Sequence, residues 1–372
     1  MSIIMTGGGT GGHLAIVKAV KEALVTEQGA GNREQEESHS RLDRESPVSD
    51  LRVKPEDDAT VPKLIYIGST KGQDKQWFAE DEDFAAKYFF ETRGVVNQRG
   101  LGKLKSLWMM FHAMRQARKL LKKHDAKVVF SVGGFSSAAT AIAAKTLRIP
   151  LVIHEQNAAL GSLNKLLKPY ADVFISSYLE ESPIKAYPIK EIFFEKAHVR
   201  EKVGTVIFLG GSQGARAIND LALSIAPELK VRGIKIIHQA GANNIEMVEK
   251  AYEEFDIEAE VFGFTTKLAD YMNEADLAIA RAGASTLWEL CATALPTLFI
   301  PYPYAASDHQ YHNAKFLVEK ELAWLMRESE IDQEKVLALL DEDLTEKSRG
   351  LMEIVERDGS KQIARMLRSY AQ

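Results

Sequence analysis

Apolar and polar positions along this chain follow two alternating rhythms. Short runs rich in Ile, Val, Leu and Phe, at 2–5, 64–67, 127–132, 205–209, 277–280 and 296–300, are too brief for helices and predict buried strands. Shorter apolar pieces at 88–91, 152–153, 235–237, 260–262 and 323–326 extend the series. Between them the spacing turns helical: Leu14, Val17, Val20 and Leu24 predict an amphipathic helix over 14–28, and Leu104, Trp108, Phe111 and Leu121 predict another over 101–124. Strands alternating with helices imply an α/β protein with largely parallel sheets. Right-handed crossovers then bring the strand-to-helix loops to one edge.

The rhythm fails once. Residues 29–62 are rich in Glu, Arg, Ser and Asp and carry no aromatic residue, so they cannot bury enough surface to offset their ordering entropy and are expected to form a disordered insertion. At 372 residues the chain should hold two domains. The strand and glycine turn at 205–215 repeat the opening of the chain, while Pro183 and Pro188 break the alternation, which sets a first domain at 1–182, a linker at 183–203 and a second domain at 204–372. A net charge of −5 supplies no basic field for nucleic acid. Cys291 is the only cysteine, which leaves no intramolecular disulfide and no cysteine metal site. No apolar run reaches the length of a membrane span, and no export signal is legible at the start, so the chain is expected to be unexported and not membrane-spanning.

Candidate chemistry sits at strand ends. After the first strand come Gly7, Gly8, Gly9, Gly11 and Gly12, interrupted only by Thr10 and followed by His13. Backbone N–H groups at a helix N-terminus suit an anion such as a sugar diphosphate, and a histidine beside them suits a reaction that needs a base. A second glycine turn, with Gly133, Gly134 and Ser136, follows the strand at 127–132, and His154, Glu155, Gln156 and Asn157 follow the next. In the second half, small residues at 282–286 would let a diphosphate approach a helix N-terminus, and Glu289 could accept bonds from both hydroxyls of a ribose. Ser307, Asp308, His309 and Gln310 suit sugar hydroxyls. The helix at 101–124 carries Lys103, Lys105, Arg115, Arg118, Lys119, Lys122 and Lys123, which fits either an apolar stripe in the core with solvated cations or, with Trp and Met exposed near the helix start, a seat on anionic lipid. Acidic triplets at 81–83 and 341–343 do not follow apolar strands and are expected to be solvated helix charges, with no metal site.

Six motifs, TGGGTGGH (6–13), SVGGFSS (131–137), HEQN (154–157), LGGSQGA (209–215), RAGASTLWE (281–289) and DHQYHNA (308–314), occur in an order and spacing that resemble the bacterial transferases that add N-acetylglucosamine to undecaprenyl-diphospho-muramoylpentapeptide, lipid I. The resemblance spans nearly the whole chain apart from 29–62. It implies two Rossmann-like domains facing a cleft, the B-type glycosyltransferase fold, with the acceptor and membrane side in the first domain and UDP-N-acetylglucosamine in the second. The last helix is a candidate to pack back on the first domain. Motif by motif, it implies donor contacts from Ser212 and Gln213, from Thr265 toward the uracil, from Ala284, Ser285, Thr286, Leu287, Trp288 and Glu289 toward diphosphate and ribose, and from His309 and Gln310 toward the sugar. Thr10, Gly11, Gly12 and Asn157 would also touch the donor sugar, while Gly133, Gly134, Ser136, His154 and Glu155 would serve the acceptor side. The family arginine near the donor is replaced here by Lys190, which keeps the charge and loses the bidentate fork.

The resemblance further implies UDP-N-acetylglucosamine as substrate with no cofactor, lipid I as acceptor, and a peripheral position on the anionic, cytoplasmic face of the inner membrane. Cell-wall synthesis proteins are further candidate partners, in a cell shape and division context. His13 is the expected base for an inverting displacement, with His154 or Glu155 as the alternative. A UDP-N-acetylglucosamine 2-epimerase or a diacylglycerol transferase would share this fold. A dinucleotide oxidoreductase is disfavoured because Gly68, Ser69 and Thr70 stand where a ribose-binding acid is expected. An inert membrane-face scaffold would bind lipid and release no UDP.

Overall fold

The computed structural model describes residues 1–42, 61–91, 101–211 and 213–371; side-chain surroundings are not described at 27–42, 101–105 and 107. The chain divides into two units. The first comprises Met1–Glu155, Gly161–Pro188 and Asp358–Gln372, and the second Gln156–Leu160 and Ile189–Arg357.

The first unit runs β1 (Ser2–Thr6), α1 (Gly11–Leu42), β2 (Lys63–Ser69), α2 (Asp74–Phe78), β3 (Ala86–Phe90), α3 (Leu101–Lys123), β4 (Ala126–Ser131), α4 (Ala138–Thr146), β5 (Leu151–Glu155), α5 (Ser162–Leu167) and β6 (Val173–Ser176). Its strands form one parallel sheet in the order β3-β2-β1-β4-β5-β6. Ile4 of β1 lies in register between Ile65 of β2 and Val129 of β4, all fully apolar positions of a strand buried on both faces.

The second unit follows with α6 (Glu191–Glu195), β7 (Thr205–Leu209), α7 (Arg216–Val231), β8 (Lys235–Gln239), α8 (Ile245–Glu254), β9 (Ala259–Phe262), α9 (Leu268–Glu274), β10 (Leu277–Ala280), α10 (Ala284–Ala292), β11 (Thr297–Phe299), α11 (His309–Glu319), β12 (Trp324–Leu325), α12 (Gln333–Ala338) and α13 (Thr345–Ile354). Its parallel sheet has the order β12-β11-β10-β7-β8-β9, which repeats the first unit's order. Val206, Phe208, Leu277, Ile279 and Leu298 join residues of α7 and α8 in its core. The last helix, α14 (Gly359–Ser369), belongs to the first unit and packs on α1.

Several expectations need correction. The domain boundary expected near Ser182 falls after Pro188, and 183–203 is divided between the units, because Ile184, Ala186, Tyr187, Ile189, Phe193 and Phe194 are buried. Helix α1 continues to Leu42, so the insertion expected to be disordered over 29–62 is helical in its first part; its residues 43–60 lie outside the described residues. Glu, Gln and Arg are good helix formers, and a helix already nucleated over 11–26 needs only propagation. Strand β6 has no counterpart among the expected strands, being four residues long without a clear alternation.

The apolar stripe expected along α3 also splits. Ala113, Ala117 and Leu121 are buried and pack toward the alanine-rich α4, while Trp108 and Phe111 are 67% and 53% exposed. Small residues let the two helices pack with little side-chain bulk between them, which puts the large aromatics on the opposite face.

The acidic triplet at 81–83 is no solvated helix face. It lies in the turn after α2, where Asp81 and Asp83 hold Lys21 Nζ of α1 at 2.8 and 2.5 Å. Lys21 is 4% exposed, so its ammonium depends on those two carboxylates. In the second triplet, Asp341 pairs with Arg232 and Asp343 accepts the Thr345 N–H. Removing the cation should leave Asp81 enclosed without its partner. Lys21→Ala is expected to cost the first unit about 3 kcal/mol of stability. A denaturant titration in which that unit unfolds as in the parent would contradict the assignment.

Candidate active site

The strand order places the candidate loops. In each sheet the order reverses beside the first strand, between β1 and β4 and between β7 and β10. Helices after such neighbouring strands leave toward opposite faces, and the crevice between their loops is where open α/β sheets bind ligands. The glycine turns at 7–12 and 133–137 flank the first reversal, and those at 210–215 and 281–284 flank the second.

The two crevices differ in what fills them. In the first unit the loops pack on each other. A Cβ on Gly134 would lie 2.3 Å from the Gly8 carbonyl oxygen, and one on Gly9 would lie 2.8 Å from Phe135. In the second unit a Cβ on Gly211 or Gly283 would meet nothing within 4 Å. Gly9 and Gly134 of the first crevice are therefore needed by the protein's own packing, as are Gly210 and Gly214 of the second, whereas Gly211 and Gly283 border open space.

His13 stands in the first turn of α1, half-buried, with its Nδ1 2.9 Å from the Thr10 hydroxyl. The Thr10 hydroxyl can donate to Nδ1 or accept from it; in the tautomer where Nδ1 carries the proton and donates to Thr10, Nε2 keeps the lone pair a base requires. The alternatives are less available. His154 on β5 is 0% exposed, its ring edge-on to Tyr187, and burial together with the His13 charge holds its imidazole down at about 3. Its ring nitrogens find no hydrogen-bond partner among the described residues, and neither does the buried Ser136 hydroxyl. Glu155 is 2% exposed and already accepts the Gly161 N–H and the Asn164 amide at 2.9 and 3.0 Å. Gly133 donates its N–H to Ser131 at 3.3 Å.

In the second unit, α10 starts at Ala284 after an extended Gly283, which has no side chain to cap the helix start. Ser285 is buried and Thr286 half-buried, whereas Leu287 and Trp288 point into the core, Trp288 stacking on Phe316 at 5.4 Å. Those last two side chains are scaffold. Glu289 follows on the same helix. Burial pushes its carboxyl up to about 8, and the Lys190 ammonium, at the start of α6, pulls it back down. Lys190 is therefore close enough to act on Glu289 as a charge.

The loop before α11 is bent through Ser307 and Asp308, both left-handed at φ 54° and 50°. Asp308 spends its carboxylate on Arg327 at 2.8 Å. His309 Nδ1 donates to the Ala306 carbonyl at 2.8 Å, which leaves Nε2 as an acceptor, and Gln310 Oε1 accepts the Tyr302 N–H at 2.9 Å. Gln213 is exposed, Thr265 is half-buried with its hydroxyl accepting the Lys267 N–H, and Ser212 lies outside the described residues.

Two organising residues are absent from the expected site residues. Asn313, one turn after His309, is fully buried; its amide donates to Asn157 and to the Ala282 carbonyl at 3.1 Å each, and its oxygen accepts the Ala158 N–H at 2.8 Å. It thus ties 156–160, the loop after β10 and α11 together. Gln239, at the end of β8, accepts the Gly211 N–H at 3.1 Å and donates to the Gly263 carbonyl at 3.2 Å, joining the glycine turn to the loop that carries Thr265. The signals for Asn313 in sequence are its place inside the 308–314 motif and its spacing of four from His309 on one helix. Arg281, by contrast, is occupied with the Ile300 and Pro301 carbonyls and with Glu328.

Two parallel six-stranded sheets of identical strand order, each with a crevice where the order reverses, are the architecture of the B-type glycosyltransferase fold. Residues 55–175 match the glycosyltransferase family 28 N-terminal domain and residues 205–366 its C-terminal domain. A protein of Sulfurovum sp. (strain NBC37-1), a UDP-N-acetylglucosamine–N-acetylmuramyl-(pentapeptide) pyrophosphoryl-undecaprenol N-acetylglucosamine transferase, is 72% identical over 371 residues, covering 100% of this chain and 99% of its own. The protein of that name from Sulfurimonas denitrificans is 51% identical, with 98% and 97% covered. The crystal structure of Acinetobacter baumannii MurG superposes with a TM-score of 0.74 at 24% identity over 99% of each chain. The chain belongs to glycosyltransferase family 28 and, within it, to the family of these N-acetylglucosamine transferases.

Because Lys190 lowers what burial raises, Lys190→Ala should move the Glu289 carboxyl above about 8. Titration of the labelled carboxyl carbon by NMR in parent and variant reads this directly. An unchanged or lower midpoint would contradict the pairing.

Proposed function

We propose that the chain transfers N-acetylglucosamine from UDP-N-acetylglucosamine to the C4 hydroxyl of the muramoyl sugar of undecaprenyl-diphospho-muramoylpentapeptide, inverting the anomeric carbon and yielding the disaccharide-linked lipid of peptidoglycan synthesis. The observation that carries this reading is the 72% identity sustained over the whole chain with a transferase named for these substrates.

In the second unit the N-terminus of α10 receives the diphosphate, with Ala284, Ser285 and Thr286 small enough to let it approach. Ser212 and Gln213 add to that cradle, and Thr265 meets the uracil through its main chain. Glu289 accepts the ribose hydroxyls. As its carboxyl sits near 8, donor binding strengthens as pH rises toward that value and Glu289 becomes the better acceptor. Lys190 keeps that carboxyl closer to its charged form, a role a point charge can fill without the fork of arginine. His309 and Gln310 bind the sugar hydroxyls, His309 through its Nε2. Asn157, Thr10, Gly11 and Gly12 complete the sugar's surroundings, while Gly133, Gly134 and Ser136 face the acceptor.

The acceptor oxygen attacks C1 of the sugar, the bond from C1 to the phosphate oxygen breaks, and the hydroxyl proton passes to His13 Nε2. The negative charge gathering on UDP is met by helix N-terminal N–H groups. No step requires a metal or an organic cofactor. His154 and Glu155 hold the end of β5 and the turn after it, without receiving the proton.

On α3, the exposed Trp108 and Phe111 continue into exposed Arg115, Lys119 and Lys122. An aromatic edge followed by cations suits the anionic surface on which a lipid-linked acceptor is presented, at the cytoplasmic face of the inner membrane. Among the described residues no helix is long and apolar enough to cross a membrane.

Two experiments test the reading. His13→Ala should lower kcat by about 10² to 10⁴ with UDP-N-acetylglucosamine left unconverted when lipid acceptor is absent; turnover within a few-fold of the parent removes the base assignment, and conversion without acceptor marks an epimerase. Trp108→Glu with Phe111→Glu should weaken sedimentation with phosphatidylglycerol vesicles and leave turnover of a short-chain, detergent-soluble acceptor near the parent rate. Undiminished vesicle binding would place the membrane seat elsewhere.

A further inference from the structure

Asp74 opens α2, outside every motif that marks the site, and is 0% exposed. Its carboxylate nonetheless holds the glycine turn that leads to His13. Oδ2 accepts the Gly9 N–H at 2.8 Å, and Oδ1 accepts the Ser69 N–H at 2.9 Å. The Tyr66 hydroxyl lies 3.0 Å from Oδ1 and 2.6 Å from the Gly7 carbonyl oxygen, so its one proton serves two acceptors that both belong to this clamp.

The turn is shaped around that carboxylate. A Cβ on Gly8 would come within 2.4 Å of Asp74 Oδ1, and one on Gly68 within 2.5 Å. Gly9 itself is at φ +90°, a conformation that L side chains rarely adopt, with Phe135 pressed against it from the other side. The next residue, Thr10, bonds His13. A chain of contacts therefore runs from Asp74 through the Gly9 N–H and Thr10 to the imidazole.

We propose that Asp74 is a positioning residue for the transfer reaction: its buried carboxylate fixes the path of the 7–12 turn and thereby the placement of Thr10 and His13 at the reacting hydroxyl. This rests on the reading of His13 as the base. A hydrogen bond to a charged acceptor is stronger than one to a neutral acceptor, and a buried N–H left without a partner carries the full cost of its desolvation. Asp74 touches neither sugar nor base, so its effect on rate passes entirely through backbone geometry.

Asp74→Asn keeps the shape and replaces one acceptor oxygen by an NH₂ group, which leaves either Gly9 or Ser69 facing a donor. A displacement of about 1 Å at a base is expected to lower kcat on the order of 10²-fold, and because Thr10, Gly11 and Gly12 border the donor sugar, KM for UDP-N-acetylglucosamine should rise with it. Amide exchange at Gly9 should quicken while the β1 and β4 amides stay protected. Placed in a His13→Ala background, Asp74→Asn should cost nothing further, because both changes remove the same function. Tyr66→Phe, which keeps the ring in its aromatic cluster, should lower kcat in the same direction by about tenfold and serves if the Asn variant does not fold.

A kcat for Asp74→Asn within about threefold of the parent, or a loss fully additive with His13→Ala, would overturn the proposal. So would unchanged exchange at Gly9. If His13→Ala alone retains turnover, the base assignment fails, and the exchange at Gly9 then decides by itself whether Asp74 holds the turn.

Discussion

In both units the strand order reverses beside the strand that opens the sheet, and the loops leaving β1 and β4, or β7 and β10, part toward opposite faces. That reversal is the constraint on which the site depends. Polar residues at strand ends would otherwise be scattered along an edge; the reversal gathers them at one crevice per sheet. The duplicated order then puts different contents in equivalent places. One crevice is closed by Gly8 and Gly9 packing against Gly134 and Phe135, and the other stays open beside Gly211 and Gly283. A closed crevice can hold a histidine rigidly, and an open one can admit a diphosphate.

Electrostatics divide along the same line. In the first unit, burial keeps His154 neutral and Glu155 engaged, and it leaves His13 as the reachable imidazole. In the second, burial pushes the Glu289 carboxyl up to about 8, and the Lys190 ammonium opposes that rise. The left-handed bend at Ser307 and Asp308 is held by the Asp308–Arg327 pair, and through it the N-terminal end of α11 presents His309 in one tautomer. Strain of this kind persists where the surrounding structure over-determines it.

Much of the fold and site is legible in sequence because it is local. An apolar run ending in glycine marks a strand and its turn, and so the strands from β1 through β11 and the loops bearing His13, Glu289 and His309 can be placed from the residues alone, β6 excepted. What is not legible depends on partners distant in the chain. Asp74 meets Gly9 across 65 positions, and Asn313 meets Asn157 across 156. Neither pairing leaves a periodic trace. Trp108 and Phe111 fall into a helical stripe whose outward part is set by Ala113 and Ala117 packing on α4, a contact that helical spacing does not encode. Leu287 and Trp288 sit inside a binding motif, yet their side chains serve the core. Helix α1 outruns its apolar face because propensity, which composition arguments about burial neglect, is sufficient to continue it.

The central claim is a single displacement at the anomeric carbon, from a nucleotide sugar onto a lipid-linked muramoyl hydroxyl. It is tested most directly by supplying ¹³C-labelled UDP-N-acetylglucosamine with lipid I and reading the anomeric coupling constant of the product by NMR. A β-linked disaccharide, with the donor's α configuration inverted, is the result this account predicts. An α-linked product, or no transfer to lipid I under conditions where UDP is released, would contradict it.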